Sequence, residues 1–534
     1  MSQSVAIVGG GISGLSAAYY LARLAPTSTK ITLIEGKERV GGWIKSQRAT
    51  TPSILFEGGA RTLRPKGETG TILLEMIQHL KLHDELVCVP QTDASAQHRY
   101  IYYNNEINTL PSNLSSAVFN KPPVMKSVLL AGLLEPFRKS RFAKDGTAKD
   151  GKEDESVYDF MRRRFNEDTA LNLMGALTHG IYAGDIKTLS VQSTFRMLYE
   201  AEKNYGSVVV GMMKGAGNTS SMRERGMAVR ARAHDPDWFS KMEKMNLIGF
   251  KKGMESLPQT LLGYLKECNN VKIVTQDPVQ SITQLDNESK IKTRGGEELY
   301  ADHVISTIPS FSLDRLIEGK LPHLSHNPSC DVAVVNLAYD GNTRLAQDGF
   351  GFLTPHRDTN GAKIPVPGTL GVIFDSNVLK EEEARVTVMM GGADWKDAFK
   401  VGIDQVTEKE AYEKAKTVMS AFLNIQNEPK AWMVHLQKQC IPQYLVGHQS
   451  RMRQLHQALT EVYGHRLSVT GASYMGVSVP DCIKNSRMLV EELLVSGALG
   501  SQEKIVTGLG KTMTDDLKDS RRLSKGNSSV IMMA

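Results

Sequence analysis

The stretch that most constrains this chain lies near its start, where the apolar run Val5-Ala6-Ile7-Val8 leads into Gly9-Gly10-Gly11-Ile12-Ser13-Gly14 and then into small residues at helical spacing. This order predicts a strand, a glycine turn and a helix. Each glycine has a separate reason to be there. Gly9 turns the chain tightly, Gly11 lets backbone approach a pyrophosphate with no Cβ in the way, and Gly14 lets the helix pack close to the strand. Phosphate oxygens would then meet the unpaired N–H groups and the positive dipole end of the helix.

A G-x-G-x-x-G turn alone is weak, but its surroundings sharpen it. A second strand, Ile31-Thr32-Leu33-Ile34, ends in Glu35, 21 residues past Gly14, where an acid can accept from ribose hydroxyls. Glu38-Arg39-Val40-Gly41-Gly42-Trp43 follows directly, and its adjacent glycines predict backbone lying close to a ligand beyond the adenosine site. A dinucleotide of the FAD type, bound in extended form, is expected.

At 534 residues the chain exceeds one core and predicts two or more lobes. A net charge of +6 fits an acidic substrate or an anionic surface and does not point to nucleic acid. Five scattered cysteines form no C-x-x-C pair, and His79 and His83 lack the Glu of a zincin motif, so neither a disulfide framework nor a metal is expected. With the first strand starting near residue 4, no cleavable presequence is expected. No run of 18 apolar residues exists to span a bilayer; the longest candidates are Val124 to Leu134 and Val208 to Met213.

Further along, residues 68 to 86 carry apolar positions at helical spacing, and Arg99 to Tyr103 with Asn104-Asn105 predicts a strand entering a hairpin. Residues 111 to 200 read as mainly helical, with Lys144 to Glu155 an exposed loop and Thr178 to Asp185 a glycine-bounded turn. Residues 204 to 235 show poor periodicity and are expected to be mobile. Residues 331 to 440 alternate strands with one long helix near Glu408 to Asn424, a second lobe. Leu467 to Thr470, Gly471-Ala472-Ser473-Tyr474-Met475-Gly476-Val477 and a helix through Leu494 repeat the strand, glycine turn, helix order of the start. No Ser/His/Asp set, Cys/His pair or paired acids stands at a turn, so no catalytic side chain is expected and the chemistry falls to the flavin.

Together these motifs resemble the oxygen-dependent protoporphyrinogen oxidases of haem biosynthesis, within the wider fold of monoamine oxidases and phytoene desaturases. The resemblance runs from about residue 4 to 494. Its more specific carriers are Phe56-Glu57-Gly58-Gly59-Ala60-Arg61, His179 to Asp185, Ala333 to Leu337 with Gly349 to Leu353, Cys440 to Tyr444 with Gly447-His448, and Gly471 to Ile483. It departs in the insert before Glu155, in 204 to 235 and in the tail.

The resemblance implies an α/β fold: a Rossmann-type FAD-binding domain (1–66, 245–312, 441–510), a mixed α+β substrate domain (67–100, 313–440), a helical membrane-associating subdomain (101–244) and a disordered tail (511–534). It implies six-electron oxidation of protoporphyrinogen IX to protoporphyrin IX with O2 as acceptor, giving hydrogen peroxide. FAD, held non-covalently, would contact Gly9, Gly10, Gly11, Ile12, Ser13, Gly14, Glu35, Trp43, Gly59, Ala60, Arg61, Thr62, Val279, Ala472, Val477, Ser478 and Val479. Arg99 would bind a propionate, with Leu177, Gly180 and Gly351 nearby; Leu353 and Ile373 would pack on one macrocycle face and Met389 on the other. Peripheral attachment to the mitochondrial inner membrane is implied, and the apolar stretch Val124 to Leu134 beside Lys121, Lys126, Arg138, Lys139 and Arg141 suits an anionic bilayer. A homodimer and hand-over of product to the chelatase of the next step fit the same picture. The alternatives are another flavin amine oxidase or desaturase of this fold, or a non-catalytic binding protein on it, such as the prenyl-GTPase escorts.

Overall fold

The computed structural model describes residues 3–49, 54–111, 123–217, 219–286, 288–356, 359, 363–379, 383–501 and 503–510. The expected tail at 511–534 and Lys121 lie outside the described residues. Twelve strands and six helices position the site. They are β1 (Ser4–Val8), β2 (Lys30–Ile34), β3 (Arg99–Tyr103), β4 (Glu106–Leu110), β5 (Val271–Val274), β6 (His303–Ser306), β7 (Ser329–Ala338), β8 (Gly351–Leu353), β9 (Thr369–Ile373), β10 (Arg385–Gly391), β11 (Ala431–Pro442) and β12 (Leu467–Val469). The helices are α1 (Ile12–Leu24), α2 (Gly67–His79), α3 (Pro123–Leu134), α4 (Gly175–Tyr182), α5 (Met222–His234) and α6 (Val479–Ser496).

The near-continuous apolar runs of β1 and β2 are what a strand buried on both faces requires. They form the centre of a parallel five-stranded sheet in the order β12-β6-β1-β2-β5. Helix α1 buries Leu15, Ala17, Ala18 and Leu21 completely and packs against α6. Ala25 leaves the helix in an extended conformation, as the following Pro26 demands.

An independent seven-stranded sheet runs β11-β7-β10-β9-β8-β3-β4. Its back face buries Tyr100, Val335, Phe352, Val372 and Val388 against the helix Glu408–Leu423, through Tyr412, Ala415 and Met419. Strict alternation therefore turns Arg99, Leu353, Ile373, Thr387 and Met389 to the opposite, front face. The hairpin between β3 and β4 turns at Asn104 and Asn105, both with positive φ (55° and 59°), the twist that a two-residue turn needs.

Several expectations change. A boundary at residue 100 would cut the β3–β4 hairpin, and pairing keeps both strands in the substrate-side sheet. Helix α2 packs on α6 and α5 and shares its core with the parallel sheet, as does α5 itself through Met227 and Ala231. Residues 204–235 are ordered into the helix Val208–Met213 and α5, which opens with a Ser221/Glu224 capping box. Their periodicity is hidden because arginines cover the flanks of α5: Arg223 meets Glu492, Arg230 meets Glu491 and Arg232 meets Glu243. The expected turn at Thr178 is helical through Tyr182, and only then does Ala183, at φ 50°, break it. The insert before Glu155 is a loop as expected, but it is tied down, with Arg141 bridging Asp150 and Glu155, and Asp154 accepting from the Gly447 N–H at 2.6 Å.

Candidate functional site

The glycine turn after β1 is built from backbone that tolerates no side chains except at one point. A Cβ on Gly9, at φ +107°, would lie 2.8 Å from Ile308 and Thr307, and one on Gly14 would fall on the carbonyl oxygen of Gly9. A Cβ on Gly11 would meet nothing closer than the Cα of Gly42, at 3.9 Å. Packing within the protein therefore forbids a side chain at Gly9 and Gly14 but leaves room for one at Gly11. Gly11 also caps α1 without offering a side-chain acceptor, which leaves the first-turn N–H groups, at Ile12, Ser13 and Gly14, to a ligand. The second glycine pair closes over it, with the Gly41 N–H donating to the Gly10 carbonyl at 2.8 Å. Gly471, at φ +110°, approaches the same turn, where a Cβ on it would lie 3.3 Å from Ser13 Oγ. Glu35 accepts from the Gly10 and Lys37 N–H groups, both at 2.8 Å, which fixes its carboxylate at the strand end. Val279 follows Pro278, which covers Gly36.

The other end is formed by residues 57 to 66 and the start of α6. Gly58 abuts the His435 ring, and Gly59 abuts the carbonyl of the half-exposed Trp43. The loop is held to the seven-stranded sheet by Asn336 donating to Glu57 O (3.1 Å), Gln437 donating to Gly58 O (2.7 Å) and Arg61 facing Asp375 (3.4 Å). Two cavities flank it and share Thr62. One, of about 350 Å³, is lined by Ala60, Thr62, Arg64, Val477, Ser478 and Val479. The other, of about 360 Å³, opens against the sheet at Arg61, Asn336, Phe350, Ile373 and Asp375. There burial raises Glu57 to about 7, against the hydrogen bonds it accepts from Met254 N and Ser46.

Strand register brings the expected substrate residues onto one surface. Leu353, Gly371, Met389 and Val334 form one row across β8, β9, β10 and β7. Gly351, Ile373, Thr387 and Asn336 form the next, and Arg99 continues that row from the Tyr100–Phe352 pairing. Leu353 and Met389 thus flank the bare Gly371, and Ile373 stands in the neighbouring row. Helix α4 crosses this face with Gly180 on Leu353, and Leu177 lies one turn earlier on the same side. Gly371 was missed because a lone glycine in a strand carries no chemical signal. Arg99 is exposed, and Arg64 and Lys66 stand near enough that like charge adds to burial in lowering the pKa values of Arg99 and Lys66.

A family model for flavin-containing amine oxidoreductases matches residues 12–494. Protoporphyrinogen oxidase of Schizosaccharomyces pombe is 35% identical over 502 residues, 92% of this chain and 98% of that protein. The Homo sapiens protoporphyrinogen oxidase is 34% identical over 511 residues, 92% and 99% of the two. This chain belongs to the protoporphyrinogen oxidase family of flavin-containing amine oxidoreductases. A solved putative protoporphyrinogen oxidase from Exiguobacterium sp. 255-15 shares the fold at TM-score 0.71, 22% identity and 93% and 99% coverage.

Membership makes the protein an FAD-dependent oxidase. The open space at Gly11, the uncapped start of α1 and the cavity at Ala60 and Val477 are compatible with such a dinucleotide. When bound, FAD supplies the acceptor for hydride; the chain's own residues hold and orient the donor.

One polar cluster beside this face joins both ends of the His179 to Asp185 motif to residues outside it. His179, from α4, is 1% exposed; its Nδ1 donates to the Thr354 carbonyl (3.2 Å) and its Nε2 stands 3.4 Å from Asp394 Oδ2. His356 bridges two acids, through Nδ1 to Asp394 Oδ2 (2.9 Å) and Nε2 to Asp185 Oδ2 (3.6 Å). Burial pushes His179 down to about 4. Burial also opposes charge on His356, but the hydrogen bonds to Asp185 and Asp394 outweigh it and raise the group to about 9. His179 and Asp185 share one short segment, but His356 and Asp394 are far from it in sequence, and no spacing rule could have joined them to it.

Proposed function

We propose that the protein oxidises protoporphyrinogen IX to protoporphyrin IX, six electrons in all, with O2 taking them in pairs as hydrogen peroxide. The observation that carries this reading is identity of 34–35% to protoporphyrinogen oxidases across 98–99% of their length. The front face supports it: an apolar floor of Leu353, Ile373 and Met389 with the exposed Arg99 at its rim suits a flat apolar ring with acidic arms. In this reading Gly9 to Gly14, Glu35, Trp43, Gly59 to Thr62, Val279, Ala472 and Val477 to Val479 hold FAD. The cofactor is non-covalent: Gly471 to Val479 offers no Cys or His, and Cys482 is fully packed, its thiol pushed up to about 11 by burial.

The reading extends to peripheral attachment to the mitochondrial inner membrane. Among the described residues no helix is long and apolar enough to cross a bilayer. Leu130, Leu133, Leu134 and Phe137 are 63%, 73%, 52% and 85% exposed, with Lys126, Arg138 and Lys139 beside them. Such a patch supports surface insertion with a basic rim. Arg141 takes no part, since it is turned inward onto Asp150 and Glu155.

Purified yellow protein mixed with protoporphyrinogen IX under air should develop porphyrin fluorescence and peroxide well above the uncatalysed rate. No acceleration, together with bleaching of the flavin by an amine or a carotenoid precursor, would assign it to another branch of the family.

A further inference from the structure

The cluster beside Gly180 sets a buried imidazole nitrogen against a carboxylate. Because the Thr354 carbonyl can only accept, a proton sits on His179 Nδ1, and Nε2 is the nitrogen left to bind a cation. That nitrogen is buried, has no hydrogen-bond partner and faces the Asp394 carboxylate. A cation bound between them would satisfy both groups, taking the place of the proton that His356 shares with Asp394.

We propose that His179 Nε2, Asp394 and His356 form a divalent transition-metal site that takes Zn2+. The three ligand atoms lie within 4.8 Å of one another. Two ligands of one tetrahedral zinc, each about 2.1 Å from the metal, are about 3.4 Å apart, and His179 Nε2 is 3.4 Å from Asp394 Oδ2. His356 stands closer, its Nδ1 2.9 Å from the same oxygen, a hydrogen bond that lengthens when a metal replaces the proton. Both imidazoles also have the outer partner that metal-bound histidines need to hold tautomer and ring orientation. For His179 this is the Thr354 carbonyl, and for His356 it is Asp185. Three protein ligands leave a fourth position for water, and the partly exposed His356 and Asp185 mark the way in.

The placement gives the site a consequence. His179 precedes Gly180 and Thr354 follows Leu353, so a cation here clamps the contact between α4 and β8 at the front face. The site acts by positioning, and it stands whether or not the substrate reading holds.

The test uses the full-length, FAD-loaded protein, stripped with a chelator and dialysed against buffered ZnCl2. Expected is saturable uptake of one zinc per flavin at micromolar free metal. Co2+ in its place should give the d–d absorption of a tetrahedral site, at longer wavelength than the flavin bands. His356→Gln, at a partly exposed position, should abolish uptake while flavin content and the melting temperature in chelator stay near those of the parent. His179→Gln should do the same, and Asp185→Asn should weaken binding roughly 10-fold. Absence of saturable uptake by the parent, or equal uptake by His356→Gln, overturns the proposal. If His179→Gln fails to fold, the parent stoichiometry, the Co2+ spectrum and His356→Gln still decide it.

Discussion

A Cβ placed on Gly180 would overlap Cδ2 of Leu353, so helix α4 and the Leu353 side chain share the space between helix and front sheet face. Gly180→Ala should displace Leu353 or lift the helix, costing about 1–3 kcal/mol of stability and lowering kcat/KM roughly 10- to 100-fold by misplacing the donor. Leu353→Ala in the same chain should restore part of the lost stability, because the shared space is then free. Thermal melts of the single and double variants check it; strict additivity would mean the two positions do not share that space.

The three glycines of the first turn should fail in different ways. Gly11→Val points into open space and should give a folded protein without yellow colour, whereas Gly14→Ala meets the Gly9 carbonyl and should fail to fold. Flavin absorbance per chain, read beside circular dichroism, separates the outcomes. Full flavin retention in Gly11→Val would show that the space beyond it is not the pyrophosphate site.

Arg99 continues the row of Gly351 and Ile373 and stands near Arg64 and Lys66, with no acid within ion-pair distance among the described residues. A guanidinium so placed suits a carboxylate held by two charge-assisted bonds. Arg99→Ala should raise KM and lower kcat/KM roughly 30-fold with flavin content unchanged. With a porphyrinogen whose propionates are esterified the mutation should cost far less; equal losses on acid and ester would exclude the contact.

Changing Leu130, Leu133, Leu134 and Phe137 to Ser should release the protein from anionic vesicles, since each side chain is more than half exposed and removing it costs the fold little. Leu129 packs inward against the cluster around Val124 and should be left alone. Sedimentation with vesicles is the measurement. Undiminished binding would move the membrane contact elsewhere, and loss of the native melt would make the patch core.

Acid should destabilise the protein through buried histidines that fold neutral. His448 donates from Nε2 to Tyr474 O (2.8 Å) and accepts at Nδ1 from Asn327 (2.8 Å), so a second proton has no acceptor. Burial pushes this group down to about 4, from 6.5 when unfolded. The unfolded chain therefore binds the proton first, and the stabilisation, complete above about 6.5, is lost as pH falls through 4. Melting temperature should fall between pH 6.5 and 4, and less steeply in His448→Gln if that variant folds. A flat profile would mean that these histidines are protonated in the folded state.

Much of the FAD-side reading came from residues close together in the chain, and the reason is local. A strand, a turn and a helix within thirty residues advertise themselves through apolar runs, glycines where φ turns positive, and a proline where a helix ends; Asn104-Asn105 likewise marks its own hairpin. The front face was legible only residue by residue. That Arg99, Gly351, Ile373, Thr387 and Asn336 form one row depends on pairings between distant segments, such as Tyr100 with Phe352, and no local propensity encodes register between distant strands. Helix α5 within 204–235 was hidden because its outward arginines find acids on α6 and on the helix Pro236–Glu243, so the partners that stabilise it are absent from the segment itself. His179, His356 and Asp394 were beyond reach for the same reason. Each alone is an ordinary polar residue, and only packing α4 against the ends of β8 and β10 sets their lone pairs within a few ångströms of one another.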